Sequence, residues 1–328
     1  MYRGDTLIYS ENKIERLDKL NIDNNIFNND GITQKIKNIN TSKINNYLYK
    51  IKINNTVDNT FLDKNTNILS IQNIPHDIKN SDIPNYIEDN QRNCKISFNN
   101  IKNLTDFDYI GYPILKFNND LIDENIEYYR FYGISMINNY YNKIILTDDK
   151  NKNTIAFLNK YLFNNNIKYD INHINVKQEI TFEYDYDKNI NLNLNEECSK
   201  QLLKGLIELY YIKNNDEPYL NIKIVSKELI YIFKFLLLKF GILLNILYNN
   251  LDSYFIIKIP KVGIIAELFN ITLDYNDYLN YFKYNNYLWI KIRSIKKINK
   301  YNGVLYNINT ENNNILTECG IISRLPSN

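Results

Sequence analysis

Apolar and polar positions change rhythm twice along the chain. Up to residue 75 they alternate with a period of two in short runs, DTLIYS, NYLYKIKIN, NTFLD and NILSIQN. Asn and Asp separate the runs, which predicts strands joined by turns. From residue 287 onward YLWIKIRSIKKI, GVLYNINT and NILTECGII alternate in the same way. Between about 120 and 260 the apolar positions form longer stripes at helical spacing, broken by short strand-like runs. A β-rich segment at each end of an α/β middle predicts a discontinuous β domain with the middle inserted into it.

The middle reads as two copies, 124–171 and 196–250. Each runs as a helix with a central glycine, a turn, a strand (NKIILT; YLNIKIV), a long amphipathic helix (TIAFLNKYLF; KELIYIFKFLLLKF) and a further strand. Two copies of αββα-like content in tandem predict a pseudo-twofold unit. Gly133 and Gly205 lie 72 residues apart (205 − 133). A mid-helix glycine costs about 1 kcal/mol relative to alanine. Two helices crossing at a pseudo-dyad approach closely only where neither carries a side chain, so these glycines predict a helix contact. The most apolar run, ELIYIFKFLLLKFGILLNILY (228–248), is interrupted by Lys234 and Lys239 and punctuated by Gly241. It predicts a buried amphipathic helix followed by a strand rather than a membrane span.

Composition narrows the chemistry. The 39 Lys+Arg against 37 Asp+Glu provide no global attraction for nucleic acid, so any basic surface must be local. Asn, Ile, Lys and Tyr dominate, with nine Gly and six Pro, the usage of an AT-rich genome. Cys94, Cys198 and Cys319 show no paired spacing, and with only His76 and His173 beside them a Cys/His zinc site is excluded. Both histidines sit in polar, loop-like contexts. MYRGDTLIYS carries no apolar signal core. The expectation is an intracellular protein of cytoplasm or nucleus, not secreted, with no membrane partner, acting as a monomer.

LKGLIELYY (203–211) resembles the second signature helix of the LAGLIDADG homing endonucleases, and FYGISMINN (131–139) resembles the first. A pair of this kind between two β-rich segments is similar to an intein, a Hint splicing domain carrying an inserted endonuclease. The ends agree: MYRGDTLIYSENKIERLDKL resembles the opening intein block, TFLDKNTNILSIQN the T-x-x-H block, and YNGVLYNINTENNNILTECGIISRLPSN the final block. The resemblance implies a mixed α/β fold. Residues 1–115 and 262–328 would form a discontinuous all-β, horseshoe-shaped Hint-like domain, and 116–261 a pseudo-twofold endonuclease-like domain with repeats at about 124–171 and 196–260.

The resemblance also implies where chemistry should lie, and the residues depart from it. Splicing begins with attack by a first-residue thiol or hydroxyl. That position is Met1, a thioether, with no preceding peptide bond as written. The T-x-x-H positions correspond to Asp63 and Thr66, and threonine has no imidazole. The usual Asp of the last block corresponds to Asn307, and the terminal His-Asn pair to Ser327 and Asn328. The eighth position of each signature helix, which in the family carries an acid for Mg²⁺, is Asn138 in the first copy and Tyr210 in the second. A phenol with a pKa of about 10 is no Mg²⁺ ligand at neutral pH. Glu208, two residues earlier, points about 200° away around the helix and is the remaining acidic substitute. No cofactor is expected, and Mg²⁺ only if the endonuclease is active.

The family lays its sheets in the major groove of DNA, and by that resemblance Lys143, Lys223, Lys227, Lys258 and Lys261 are the DNA-facing candidates. The acidic stretch EYDYDKN (183–189) near the same saddle opposes them. Three readings stay open: an intein-derived protein inactive in splicing and cleavage, kept as a double-stranded-DNA-binding or structural module; an active intein or homing endonuclease cutting DNA with Mg²⁺; and an interaction protein with no nucleic-acid partner.

Overall fold

The alternating runs at both ends of the chain meet in one antiparallel sheet. In the computed structural model the described residues are 1–120, 125–137, 143–147, 151–174, 177–184, 191–210, 217–271 and 278–323. The N-terminal part supplies β1 (Tyr2–Arg3), β2 (Leu7–Tyr9), β3 (Ile14–Arg16), β4 (Asn25–Phe27), β5 (Thr33–Ile53), β6 (Thr60–Asp63) and β7 (Asn67–Ile71). Helix α1 (Ile83–Asp89), β8 (Ile96–Asn100) and β9 (Tyr109–Pro113) follow. The C-terminal part adds four strands, whose numbers follow from their place in the chain: β16 (Tyr281–Tyr284), β17 (Tyr287–Thr310), β18 (Asn314–Thr317) and β19 (Gly320–Ser323). Among the described residues thirteen of these strands form one sheet, ordered β3-β2-β18-β19-β7-β9-β17-β1-β6-β5-β4, with β8 on β7 and β16 on β17. Strand β17 also pairs directly with β5, so the circuit β17-β1-β6-β5 closes on itself. Trp289, Tyr112, Ile8, Leu62 and Ile322 are fully buried against it.

The middle holds two copies of one unit. The first is α2 (Ile126–Ile137), β10 (Lys143–Thr147), α3 (Lys152–Asn164), β11 (Tyr169–Ile174) and β12 (Lys177–Phe182). The second is α4 (Glu196–Glu208), β13 (Tyr219–Ile224), α5 (Lys227–Lys239), β14 (Asn245–Asn249) and β15 (Tyr254–Pro260), after which comes α6 (Ile264–Phe269). Each copy is therefore αβαββ, not αββα-like, and the third strand of the first copy lies beyond residue 171. That third strand runs down the middle of each sheet, β10-β12-β11 and β13-β15-β14. Both α3 and α5 stop in the same way. Asn166 and Gly241 take φ of +53° and +69°, and the next residue, Ile167 or Ile242, donates its N–H back to Leu162 or Leu237. This left-handed cap satisfies the last carbonyls, and Gly or Asn tolerates it. The run 228–248 is thus helix α5, its Gly241 stop and β14, and among the described residues no helix is long and apolar enough to cross a membrane.

The equivalent helices α3 and α5 differ in burial. Helix α3 buries one side and leaves Phe163 76% exposed. Helix α5 is buried nearly all round from Phe233 to Lys239, as expected of a helix packed on two sides. Its second partner is the large sheet: the Phe235 ring lies 6.2 Å from Tyr9 and 5.7 Å from Phe27. Lys234, 4% exposed, forms a buried ion pair with Glu318 at 2.9 Å. Glu318 also accepts the Val57 N–H at 2.8 Å.

Lys239 ends the same helix. Its ammonium donates to the Leu194 carbonyl at 2.9 Å, lies near the Phe117 and Phe235 rings, and borders a cleft of about 780 Å³. Burial pulls its pKa down to about 7. The folded value lies below the unfolded one near 10.4, so the unfolded chain binds more protons between about pH 7 and 10, and stability rises with pH across that window. Lys239→Met is expected to flatten the rise and to gain a few kcal/mol at pH 6, an order-of-magnitude figure from that shift. Urea melts of both proteins at pH 6, 7.5 and 9 check this; parallel pH profiles refute it.

Candidate functional site

Helices α2 and α4 cross where side chains vanish. A Cβ on Gly205 would stand 2.2 Å from the Arg130 carbonyl oxygen and 3.0 Å from the Ile134 nitrogen. One on Gly133 would stand 2.6 Å from the Leu202 oxygen and 2.9 Å from the Leu206 nitrogen. Arg130 and Ile134 plus 72 are Leu202 and Leu206, so the two sides of the contact are pseudo-twofold equivalents. Asn195 caps α4 by accepting the Cys198 N–H at 2.8 Å, and Glu196 and Glu197 complement the helix dipole in its first turn.

The side chains at the crossing break this symmetry. Arg130 donates to both carboxylate oxygens of Glu208, Nε to Oε1 at 3.1 Å and an Nη to Oε2 at 2.7 Å. Both groups are largely buried, at 14% and 8% side-chain exposure, and the guanidinium lies 3.9 Å from the Phe157 ring centroid. A bidentate, stacked arginine is the strongest partner a carboxylate finds in a protein. Lys204 lies close by, its pKa lowered by burial and by Arg130. Tyr210, just beyond the C-cap of α4, has its phenol pKa raised by burial and is neutral at pH 7. These residues do not fit Mg²⁺. Both oxygens of Glu208 are committed to a cation, Tyr210 supplies no anion, and no cluster of three metal-ligating side chains occurs among the described residues. Asn138 lies outside the described residues.

The second set gathers at the turn between β6 and β7. The Asp63 N–H donates to the Met1 carbonyl at 3.1 Å and the Thr66 N–H to the Asp63 carbonyl at 3.0 Å. Strand β1 pairs Tyr2, the residue after Met1, with Tyr306, the residue before Asn307. The Met1 thioether accepts from Ser42 Oγ at 2.9 Å. Across the turn, Ser323 of β19 pairs with Asn67, beside Thr66. Met1, Asp63, Thr66, Asn307 and the last described strand therefore meet in one place, and Ser327 and Asn328 lie outside the described residues. Thr66 is 2% exposed and its Oγ1 finds no partner among the described residues. Cys319, the thiol nearest this region in sequence, is fully buried and raised to about 11 by desolvation, so it is inert as a nucleophile.

The five candidate lysines do not form one basic face. Lys261 is 3% exposed: three residues on from Lys258, it falls on the opposite, inward face of the strand with Ile257 and Ile259. Lys227 opens helix α5 and pairs with Asp58 at 2.7 Å, so it belongs to the contact with the large sheet. Lys143 pairs with Glu179 of the neighbouring strand at 2.9 Å. Lys223 and Lys258 share the outer face of β13-β15, with Lys223 lying 3.8 Å from the Tyr254 ring. What sequence reasoning missed is Arg130: its only signal was a basic residue three positions before the helix glycine.

No family model matches the chain, and no curated protein matches it. Solved structures do. A variant of I-DmoI bound to its target DNA in the presence of manganese shares 15% identity at a TM-score of 0.35, over 45% of this chain and 95% of that one. I-DmoI with DNA and manganese shares 14% identity at a TM-score of 0.34, over 46% and 99%. Mesophilic variants of the homing endonuclease I-DmoI share 15% identity at a TM-score of 0.33, over 42% of this chain and 84% of that one.

Proposed function

We propose that this protein is a double-stranded-DNA-binding scaffold of intein type, inactive in splicing and cleavage, with a Hint-like part (1–115 and 262–328) and a duplicated LAGLIDADG-like part (116–261). The observation that carries the reading is the Arg130–Glu208 pair at the helix crossing. A guanidinium holds Glu208, the acid offered as the substitute metal ligand, while the glycine contact that positions such helices is kept. The reading of splicing inactivity draws on the sequence resemblance, in which Thr66 corresponds to the imidazole position and Asn307 to the acid. Binding without cutting needs only the scaffold and phosphate contacts.

The test is a labelled duplex titrated with the full chain at 50 and 200 mM salt, with and without Mg²⁺. The expected result is affinity that falls steeply with salt and a duplex left intact in Mg²⁺. Cleavage would restore the active-endonuclease reading. Binding insensitive to salt would favour the protein-partner reading, which draws on Leu247 and Tyr248, both about half exposed on the second three-stranded sheet. A fusion carrying exteins on both ends and Met1→Cys is expected to give no spliced product.

A further inference from the structure

Charge on this molecule is unevenly placed. Strand β5 carries Lys35, Lys37, Lys43, Lys50 and Lys52 and no acid; strand β17 carries Lys291, Arg293, Lys296, Lys297 and Lys300 and no acid. Those ten residues leave 29 basic against 37 acidic ones in the rest of the chain, a formal −8 beside a ribbon of +10. The two strands lie far apart in sequence, and the ladder joins them from Ile53 opposite Ile292 to Ile36 opposite Thr310.

Within the ribbon the cations are left without anions. Apart from Lys300, whose side chain is not described, none of these residues forms an ion pair among the described residues, whereas Lys143, Lys168, Lys200, Lys227 and Lys234 all do. Lys50 stands directly opposite Lys296. Like charges in register destabilise a sheet, so such a pair points to an anion supplied from outside. Lys297 lies 3.9 Å from the Tyr47 ring, with Lys64 at 5.8 Å from the same ring. Lys37, Lys43, Arg293, Lys296 and Lys297 are exposed.

Shape narrows the polyanion. From Ile36 to Tyr47, β5 pairs only with β17 among the described residues, and β17 carries β1 on its other edge only at Leu305 and Tyr306, so the ladder is two-stranded from Lys43 to Asn46 against Val304 to Tyr301. At about 3.3 Å per residue the ladder is roughly 60 Å long, against about 34 Å for one turn of duplex DNA. A two-stranded ribbon fits the major groove, which is about 12 Å wide, and exposed Asn side chains are of the type that reads adenine edges there; Asn38, Asn45 and Asn302 are such positions. At its base Lys52 and Arg293 line a cleft of about 280 Å³ with Leu247 and Tyr248 of β14, which makes the ribbon continuous with the second three-stranded sheet.

We infer that the β5–β17 ribbon, and not the outer faces of the three-stranded sheets, is the principal duplex-DNA contact of this protein. The inference rests on the DNA-binding reading above and names its surface. It is tested with the full chain and a labelled 30-base-pair duplex, comparing the ribbon variant Lys43→Gln/Lys50→Gln/Lys296→Gln/Lys297→Gln with the sheet variant Lys223→Gln/Lys258→Gln. At 100 mM salt the ribbon variant is expected to lose at least ~30-fold in affinity and its log–log salt slope to fall by about 3–4, near 0.9 per phosphate contact. The sheet variant should lose less than ~3-fold. The matching Lys→Arg quadruple should retain binding, and Lys50→Gln alone should melt no lower than the parent, since it relieves a like-charge pair. A sheet variant that takes the salt slope with it, or preference for single-stranded RNA over the duplex, overturns the inference while leaving a nucleic-acid reading in place. A parent protein with no salt-sensitive duplex binding removes both.

Discussion

Glu318→Ala is expected to destabilise the protein by about 3–5 kcal/mol, because it strands the Lys234 ammonium in the core. Lys234 and Glu318 are 4% and 2% exposed and 2.9 Å apart. Burial already pulls the lysine pKa down, against the attraction of Glu318. Deleting the acid removes that attraction and frees the Val57 N–H, which donates to the same oxygen. Lys234→Ala should cost a similar amount for the opposite reason, an unpaired buried carboxylate. The double change Lys234→Leu/Glu318→Gln keeps an acceptor for Val57 and removes both charges. It should lie within about 1.5 kcal/mol of the parent, since buried pairs often exchange neutrally for apolar groups. Urea melts of the four proteins close a double-mutant cycle. Single losses below about 1 kcal/mol that simply add would sink the claim that this pair clamps α5 to the large sheet.

Gly205→Val is expected to cost about 3 kcal/mol, at the upper end of overpacking, and to lower Tm by roughly 5–10 °C. Its Cβ alone would meet the Arg130 carbonyl oxygen at 2.2 Å, and that atom is backbone that cannot rotate away. Relief requires α2 and α4 to separate, which also pulls Arg130 from Glu208 across the same crossing. Gly133→Val should behave alike, since its neighbours are the pseudo-twofold equivalents. Lys160→Ala on the exposed side of α3 serves as control and should change little. A Gly205→Val protein that melts with the parent would show that the helices do not depend on this close approach.

The glycines were legible in the sequence because a helix interior makes them conspicuous: each lowers local propensity, and the same break recurs 72 residues later. The stop of α5 was legible too, since Gly241 follows a run that no membrane span would interrupt with Lys234 and Lys239. The lysines were legible only in part. Lys258 and Lys261 lie three residues apart in one strand-like run, so alternation sets them on opposite faces, and Lys261 is 3% exposed on the inward side that it shares with Ile257 and Ile259. Lys227 opens the helix that the spacing predicts, but its partner Asp58 is 169 residues away and is not written in the local pattern. The αβαββ order was half legible, for β12 begins six residues past the boundary that repetition alone suggested.

Periodicity, capping and turn chemistry act over a few residues, and by itself the sequence determined what those forces control. They set the strands at both ends, the duplicated helices, their glycines, and the left-handed stops at Asn166 and Gly241. Charge pairing acts across contacts between distant segments, and only the tertiary structure decided it. Arg130 finds Glu208 across 78 residues and Lys234 finds Glu318 across 84. Strands β5 and β17, each basic and neither unusual alone in a chain of net charge +2, come to lie side by side. Electrostatic energy depends on separation in space and on local dielectric, not on separation along the chain. For that reason the same residues that read as scattered surface lysines become a ribbon, and an acid that reads as a spare metal ligand becomes half of an ion pair.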